Sequence, residues 1–195
     1  MTETYAAPAT RRQLLGAAGG IAVALAATPH RTLAQEPANY SNHPLAGMWL
    51  AMANPALPEN SPFPAPSWFS ADGNVVLAFP PSDIGPNGAV LQSSPVGVWE
   101  PYDDRTGHFT VVQTLSTPDG TLIGSVTING YPSVDADNMT FTDRNDLTHV
   151  TIRDASGAVL QEVPPDPNGR KVTAIRMKVD APGFPETIPA ATPAS

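Results

Sequence analysis

The chain has 195 residues, a formal net charge of −8 and no cysteine. A chain without cysteine cannot form a disulfide, a thiolate nucleophile or a Cys-ligated metal centre. Its acidic balance argues against binding to nucleic acid or to anionic membrane, because these surfaces carry charge of the same sign.

The N-terminal region has the pattern of an export signal. The pair Arg11-Arg12 precedes Gly16–Ala27, which holds only small and aliphatic residues and is too short to span a bilayer of about 30 Å. We therefore predict a twin-arginine signal peptide over residues 1–34, with the twin-arginine export machinery as a partner. The expected location is periplasmic, cell-envelope or extracellular, without stable membrane insertion. A disordered Ala/Gly-rich tail with a chance arginine pair is the alternative.

Cleavage would leave about 160 residues, which is enough for one domain with its own core. It would move the net charge from −8 to −10. We predict a linker over residues 35–44 and a β-domain over residues 45–179. The Pro/Ala-rich tail, residues 180–195, is expected to be disordered or laid along the surface.

The first half of the domain alternates short strands with proline-rich connections. Leu45–Met52 is the first predicted strand. Asn54–Pro66 carries five prolines, a density that argues against a central strand or a helix and suggests a lid. Ala71-Asp72-Gly73 indicates a hairpin turn. Pro80–Pro95 is predicted to be irregular, and Val96–Glu100 is the next strand.

The second half is organised around Gly107–Tyr131, two alternating strands joined at Pro118-Asp119-Gly120. Met139–Arg153 is predicted as one long strand, followed by strands at Ala158–Val163 and Lys171–Val179. No sustained helical period occurs. The sequence predicts an all-β fold, a single antiparallel up-and-down barrel of about eight strands, because closure removes reactive edges. A sandwich is the alternative.

The order of short motifs resembles that of calycin-like small barrels. These motifs are a Gly-x-Trp in the first strand, an Ala-Asp-Gly turn, Gly97-Val98-Trp99, Gly107-His108-Phe109-Thr110, a Pro-Asp-Gly hairpin and a basic residue in the last strand. Over Leu45–Val179 the chain looks like lipocalin-like exported bacterial proteins, with allene oxide cyclase-like barrels as structural cousins. It lacks the C-terminal helix and disulfide of ordinary lipocalins.

The resemblance implies a structural contact between the two ends of the domain. The indole of the Gly-x-Trp motif would close one end of the barrel, and the basic residue of the last strand would lie over it. Carried onto this chain, the pair is Trp49 and Arg176. A guanidinium on an indole face is a cation–π contact that contributes about 0.5–2 kcal/mol.

Aromatic residues concentrate in the predicted strands. One interpretation is an apolar ligand pocket lined by Trp49, Trp99, Phe109 and Val126. The other is that the aromatic rings fill the interior, because about eight strands enclose only enough room for side chains. The leading hypothesis from the sequence is a barrel that binds a small, apolar molecule, with no cofactor.

Catalysis and interaction remain as alternatives. His149 or Asp143, if turned inward, would be a candidate for proton transfer in an isomerase or cyclase; a solvated outer face or a bulge is the other interpretation. No nucleophile motif and no metal-ligand spacing occurs. A structural or interaction module of the cell envelope would show a filled interior and an exposed apolar patch.

Overall fold

The computed structural model describes residues 38–54, 61–85 and 88–180. The predicted signal peptide, residues 55–60 of the predicted lid and residues 181–195 of the tail lie outside the described residues. The described part contains no helix and thirteen strands. They are β1 (Gly47–Ala53), β2 (Phe63–Phe69), β3 (Asn74–Leu77), β4 (Ser82–Gly85), β5 (Gly88–Gln92), β6 (Val96–Pro101), β7 (Gly107–Ser116), β8 (Leu122–Gly130), β9 (Pro132–Val134), β10 (Thr140–Asp143), β11 (His149–Asp154), β12 (Val159–Val163) and β13 (Thr173–Arg176).

All thirteen strands belong to one antiparallel sheet that curls into a half-barrel. Its hydrogen-bonded order is β12-β11-β8-β7-β6-β3-β2-β1-β13-β10-β9, with the β4–β5 hairpin attached to β7. The first and last strands in the chain are neighbours, and Trp49 lies opposite Arg176 in their ladder. The all-β antiparallel prediction is therefore confirmed.

The long hairpin predicted at the centre of the chain is formed by β7 and β8. Phe109, Val111 and Gln113 of β7 are buried, whereas the residues between them are half-buried or exposed. The turn closes at Gly120, whose φ of 87° is accessible to glycine without a Cβ clash. The pairing of β7 with β8 confirms the hairpin prediction, and the period-two pattern is complete on β7.

The predicted closed barrel of about eight strands needs correction, because the sheet is open and has more strands. The ends of the hydrogen-bonded order are β12 and β9, which do not pair with each other. The chain leaves β8 through Tyr131 and the buried Pro132, and β9 then pairs with β10. A single bridge, Thr106 to Ser133, links β9 back toward β7. Because β8 and β9 diverge at this bend, no continuous hydrogen-bonded ladder joins β9 to β7.

The prediction that Asn54–Pro66 contains no central strand was also wrong, since β2 starts at Phe63 and lies between β1 and β3. The Pro66 carbonyl accepts from the Ala78 backbone N–H, so the backbone of Pro66 faces the β3 side. Pro64, two residues away, faces the same side, beyond the end of β3. The ladder to β1 therefore loses none of its donors to these prolines.

Two further segments differ from their predictions. Met139–Arg153 is two strands, β10 and β11, separated by a turn in which the backbone N–H groups of Leu147 and Thr148 donate to the Arg144 carbonyl. The two strands then pair with different neighbours, β10 with β13 and β11 with β8. Pro80–Pro95, predicted as irregular, contains the β4–β5 hairpin.

The core lies on the concave face of the sheet. Phe69 is fully buried at its centre, with ring centroids 5.9 Å from both Trp99 and Phe109 and 6.4 Å from Phe141. Tyr40, in the segment predicted as a linker, packs on the core and lies 5.1 Å from Trp99. The aromatic residues thus form one contiguous cluster.

The packing of Phe109 on Gly130 yields a first prediction. A Cβ at position 130 would lie 2.3 Å from the tip of the Phe109 ring. Gly130→Ala should therefore lower the free energy of unfolding by about 1–3 kcal/mol through overpacking. In a Phe109→Leu background the smaller side chain should reduce that cost. Urea unfolding of the four variants measures the coupling, and equal costs in both backgrounds would contradict this account.

Candidate functional site

The predicted pocket residues are brought together only in part. Trp49, Trp99 and Phe109 are buried in the aromatic cluster, connected through Phe69 and Phe141. Val126 faces the same side of the sheet from β8, opposite Gln113. It is half-buried and lies about 13 Å along the strand from the Phe109 level, at ~3.4 Å per residue.

Both buried indoles have their polar atoms satisfied by the protein itself. The Trp49 Nε1–H donates to the Leu45 carbonyl at 2.8 Å, and the Trp99 Nε1–H donates to the Ser70 carbonyl at 2.8 Å. These bonds fix the rings against the N-terminal segment and the β2–β3 turn. Trp49, Trp99 and Phe109 pack against the other buried side chains of the core cluster, whereas Val126 is half-buried outside it.

The pair implied by the resemblance is in contact. The guanidinium carbon of Arg176 lies 4.2 Å from the centroid of the Trp49 ring. Its Nε–H donates to the Asn138 carbonyl at 2.7 Å and its Nη1–H to the Ala46 carbonyl at 3.1 Å, while Nη2 donates to the Pro44 carbonyl. Burial of the guanidinium lowers the pKa of Arg176. These three hydrogen bonds hold the segment before β1 and the turn before β10 to β13, and we call this arrangement the Arg176 bracket.

The predicted proton-transfer candidates do not lie together. His149 is exposed on β11, opposite Asn129 of β8, whereas Asp143 is buried at the end of β10. The two strands do not pair with each other. Both lie within the single strand predicted over Met139–Arg153, and the turn between β10 and β11 separates them.

The Asp143 carboxylate has three hydrogen bonds from the surrounding backbone and side chains. Oδ1 accepts from the Tyr131 N–H at 2.6 Å and from the Arg144 N–H at 3.1 Å, and Oδ2 accepts from the Thr148 hydroxyl at 3.2 Å. Burial raises the pKa of Asp143 to about 6, and these donors offset it only partly. The carboxylate holds the β8–β9 bend and the turn after β10 together.

An outer cleft of about 340 Å³ lies on the convex side of β6 and β7, beside the N-terminal segment. Tyr40, Val98, Glu100 and His108 contribute to its walls. His108 stacks on Tyr131 at 4.5 Å with the rings nearly parallel, and its Nδ1 lies 4.0 Å from a Glu100 oxygen. The cleft is shallow and opens to solvent. The described residues contain no group of three or more His, Asp or Glu arranged to hold a metal.

A row of apolar side chains crosses the convex face in register, and we name it the outer stripe. Met48 pairs with Trp68, Trp68 with Val76, Val76 with Val96, and Val96 with Val112. At one end the Met177 N–H donates to the Met48 carbonyl at 2.9 Å. The outer stripe consists of Met177, Met48, Trp68, Val76, Val96 and Val112.

Five of the six residues of the outer stripe are exposed to solvent, and Val76 is half-buried. Trp68 is 46% exposed, Val96 53%, and Met48, Val112 and Met177 are each 43% exposed. A polar outer face alternating with an apolar inner face is the usual pattern for such a sheet. The sequence signal was present, because Met48 and Trp68 directly neighbour inward aromatic residues. The row itself depends on the register between strands, which periodicity within one strand does not give.

Comparison with known proteins finds no protein-family model, curated protein or solved structure that matches the chain. In the described part of the chain, no helix combines the length and apolar character needed to cross a membrane.

The Arg176 bracket yields a second prediction. Lysine at this position keeps the charge but cannot serve three carbonyl acceptors from one planar group. Arg176→Lys should lower the free energy of unfolding by about 1–3 kcal/mol in urea titrations. Arg153→Lys is the control, because Arg153 makes one long contact, 3.3 Å, to the Gly157 carbonyl. Equal, small effects of both variants would argue against the bracket.

Asp143 yields a third prediction. Since its folded-state pKa of about 6 lies above the ordinary value of 3.8, the folded chain holds this proton more tightly than the unfolded chain. Its contribution to stability should therefore be lost as pH rises from about 4 to about 6, by on the order of 3 kcal/mol. Asp143→Asn keeps an acceptor oxygen but does not titrate, so its stability should change less over this window.

Urea unfolding at several pH values between 4 and 7 measures the difference. Asp146→Asn is the control, because its exposed carboxylate is paired with Arg144 and its pKa is lowered. Its contribution is lost only below about pH 4, so the control should keep the wild-type slope between pH 4 and 6. If Asp143→Asn keeps that slope too, Asp143 is not the titrating group.

Proposed function

We propose that this protein is an interaction module that binds an extended, apolar segment of a protein partner along the outer stripe. The observation that carries the proposal is the outer stripe itself, an uninterrupted apolar row on the solvent side of a sheet whose other side is filled by aromatic rings. Monomeric proteins rarely expose large contiguous apolar patches unless they bind something.

The shape of the outer stripe favours a segment over a globular partner. It is one side chain wide except on β6, where the exposed Val98 lies beside Val96, and six strands at ~4.8 Å spacing make it about 24 Å long. A standard interface between folded surfaces uses about 20–30 residues on each side, far more than the outer stripe offers. A second copy of the chain is therefore a poor fit. Trp68, near the middle, is the residue type that most often anchors such contacts.

Charge restricts the partner further. The chain is acidic overall, which supports a neutral or basic protein segment and disfavours nucleic acid and anionic membrane. The outer stripe contributes no charge of its own. Apolar contact would provide the affinity, and the acidic surroundings would accelerate the encounter with a basic partner.

Export and kinship with calycin-like barrels are parts of the same proposal. The twin-arginine pattern supports delivery across the membrane, and the cell envelope is the proposed place of action. The Trp49–Arg176 contact supports the calycin-like relationship. The packed aromatic interior shifts the proposal from a carrier of small apolar molecules to an interaction module, because a carrier needs open space where these rings lie.

A fourth prediction tests this function. A partner retained from the cell-envelope fraction of the source organism should be purified and titrated calorimetrically against the chain. Trp68→Ser should weaken binding at least tenfold. Gln161→Asn, an exposed polar substitution on β12 at the far end of the strand order from the outer stripe, should leave binding unchanged. Binding insensitive to Trp68→Ser would overturn the proposal, and a small molecule retained in native mass spectrometry would favour the carrier instead.

A further inference from the structure

We propose that the C-terminal segment of this same chain, residues 181–195, binds the outer stripe and covers it until a partner displaces it. The inference deepens the proposed function and rests on it, because it assigns regulation to the same surface. Segment and partner would compete for the same apolar row.

The last described residues of the chain lie at one end of the outer stripe. β13 ends at Arg176, and the next residue, Met177, is the first member of the outer stripe. Val179 is almost fully exposed, and Asp180 has a φ of 58°, in the left-handed region where chains turn. The chain therefore leaves the sheet at one end of the outer stripe and changes direction there.

The length of the segment is sufficient. Five strand spacings separate Met177 from Val112, a span of about 24 Å. A polyproline II segment advances ~3.1 Å per residue, so about eight residues cover this distance. Residues 181–195 provide almost twice that number. Because the segment is tethered beside its target, its effective concentration is on the order of millimolar, and weak contacts suffice for occupancy.

The chemistry of the segment matches that of the outer stripe. It contains four prolines together with Phe184 and Ile188, and its one ionisable side chain is Glu186. Proline-rich segments dock on exposed aromatic rings with little loss of conformational entropy, which suits Trp68. The Met48 and Met177 side chains can adapt their shape to such a ligand.

The three tryptophans provide the fifth prediction and its internal controls. The indole N–H signals of Trp49 and Trp99 report buried groups bonded to backbone carbonyls, whereas Trp68 reports the outer stripe. In nitrogen-edited NMR spectra, a chain ending at Asp180 should show a shifted Trp68 indole signal relative to the full chain. The Trp49 and Trp99 signals should stay in place.

Point substitutions separate docking from a general effect of truncation. Phe184→Ser combined with Ile188→Ser should reproduce the Trp68 shift of the truncated chain, and Thr187→Ser should not. The truncated chain should also bind the envelope partner more tightly, by about tenfold or more, because the competitor is gone.

The outcomes distinguish this inference from the proposed function. An unchanged Trp68 signal on truncation overturns tail docking, even if the partner still depends on Trp68. If Trp68→Ser leaves the affinity for the partner unchanged, the proposed function is overturned, whatever the NMR spectra show. Adding a synthetic peptide of residues 181–195 to the truncated chain should restore the full-chain Trp68 signal, and failure to do so at millimolar peptide counts against docking.

Discussion

The structure depends on the Arg176 guanidinium, which joins parts of the chain that are far apart in sequence. It lies over Trp49 of β1 and donates to carbonyls before β1 and before β10. A planar group with five donors is suited to hold several carbonyls at once. The contact places β13 beside β1, although more than 120 residues separate Trp49 from Arg176. Closing so long a loop has an entropic cost, and burial of the core that this pairing encloses offsets it.

The sheet does not close into a full barrel, and its edge at β12 is protected against pairing with other chains. β12 ends the hydrogen-bonded order, with Val159 and Leu160 exposed. Unpaired edges invite pairing with other chains, and charge or proline nearby discourages it. Glu162 in β12 and the prolines that follow β12 supply both. This edge is therefore protected although the sheet does not close, and the aromatic cluster packs on the concave side.

The sequence predicted the parts of this fold that are governed by local period and turn chemistry. The β7–β8 hairpin and the β2–β3 turn at Gly73 follow directly from alternation and glycine. The bend at Pro132 and the break after Asp143 were missed, because both are fixed by contacts between distant segments, such as the Tyr131 N–H donating to the Asp143 carboxylate. The prediction was wrong for the prolines of β2, because a missing proline N–H weakens a ladder only on the side that it faces. For the site, residue types indicated an aromatic cluster but could not tell a filled interior from a pocket.

The same alternation that fills the interior also produces the outer stripe. β1, β2, β3, β6 and β7 each place a bulky residue inward at one position and an apolar residue outward at a neighbouring one. The inward residues stabilise the fold, because burial contributes about 25 cal/mol per Å² of apolar surface removed from water. The outward residues are only partly buried and gain less from folding, and their alignment into one row requires the register of five successive strand pairings. The occupant that we propose for this row is the chain's own proline-rich segment, residues 181–195, which follows the end of the described chain.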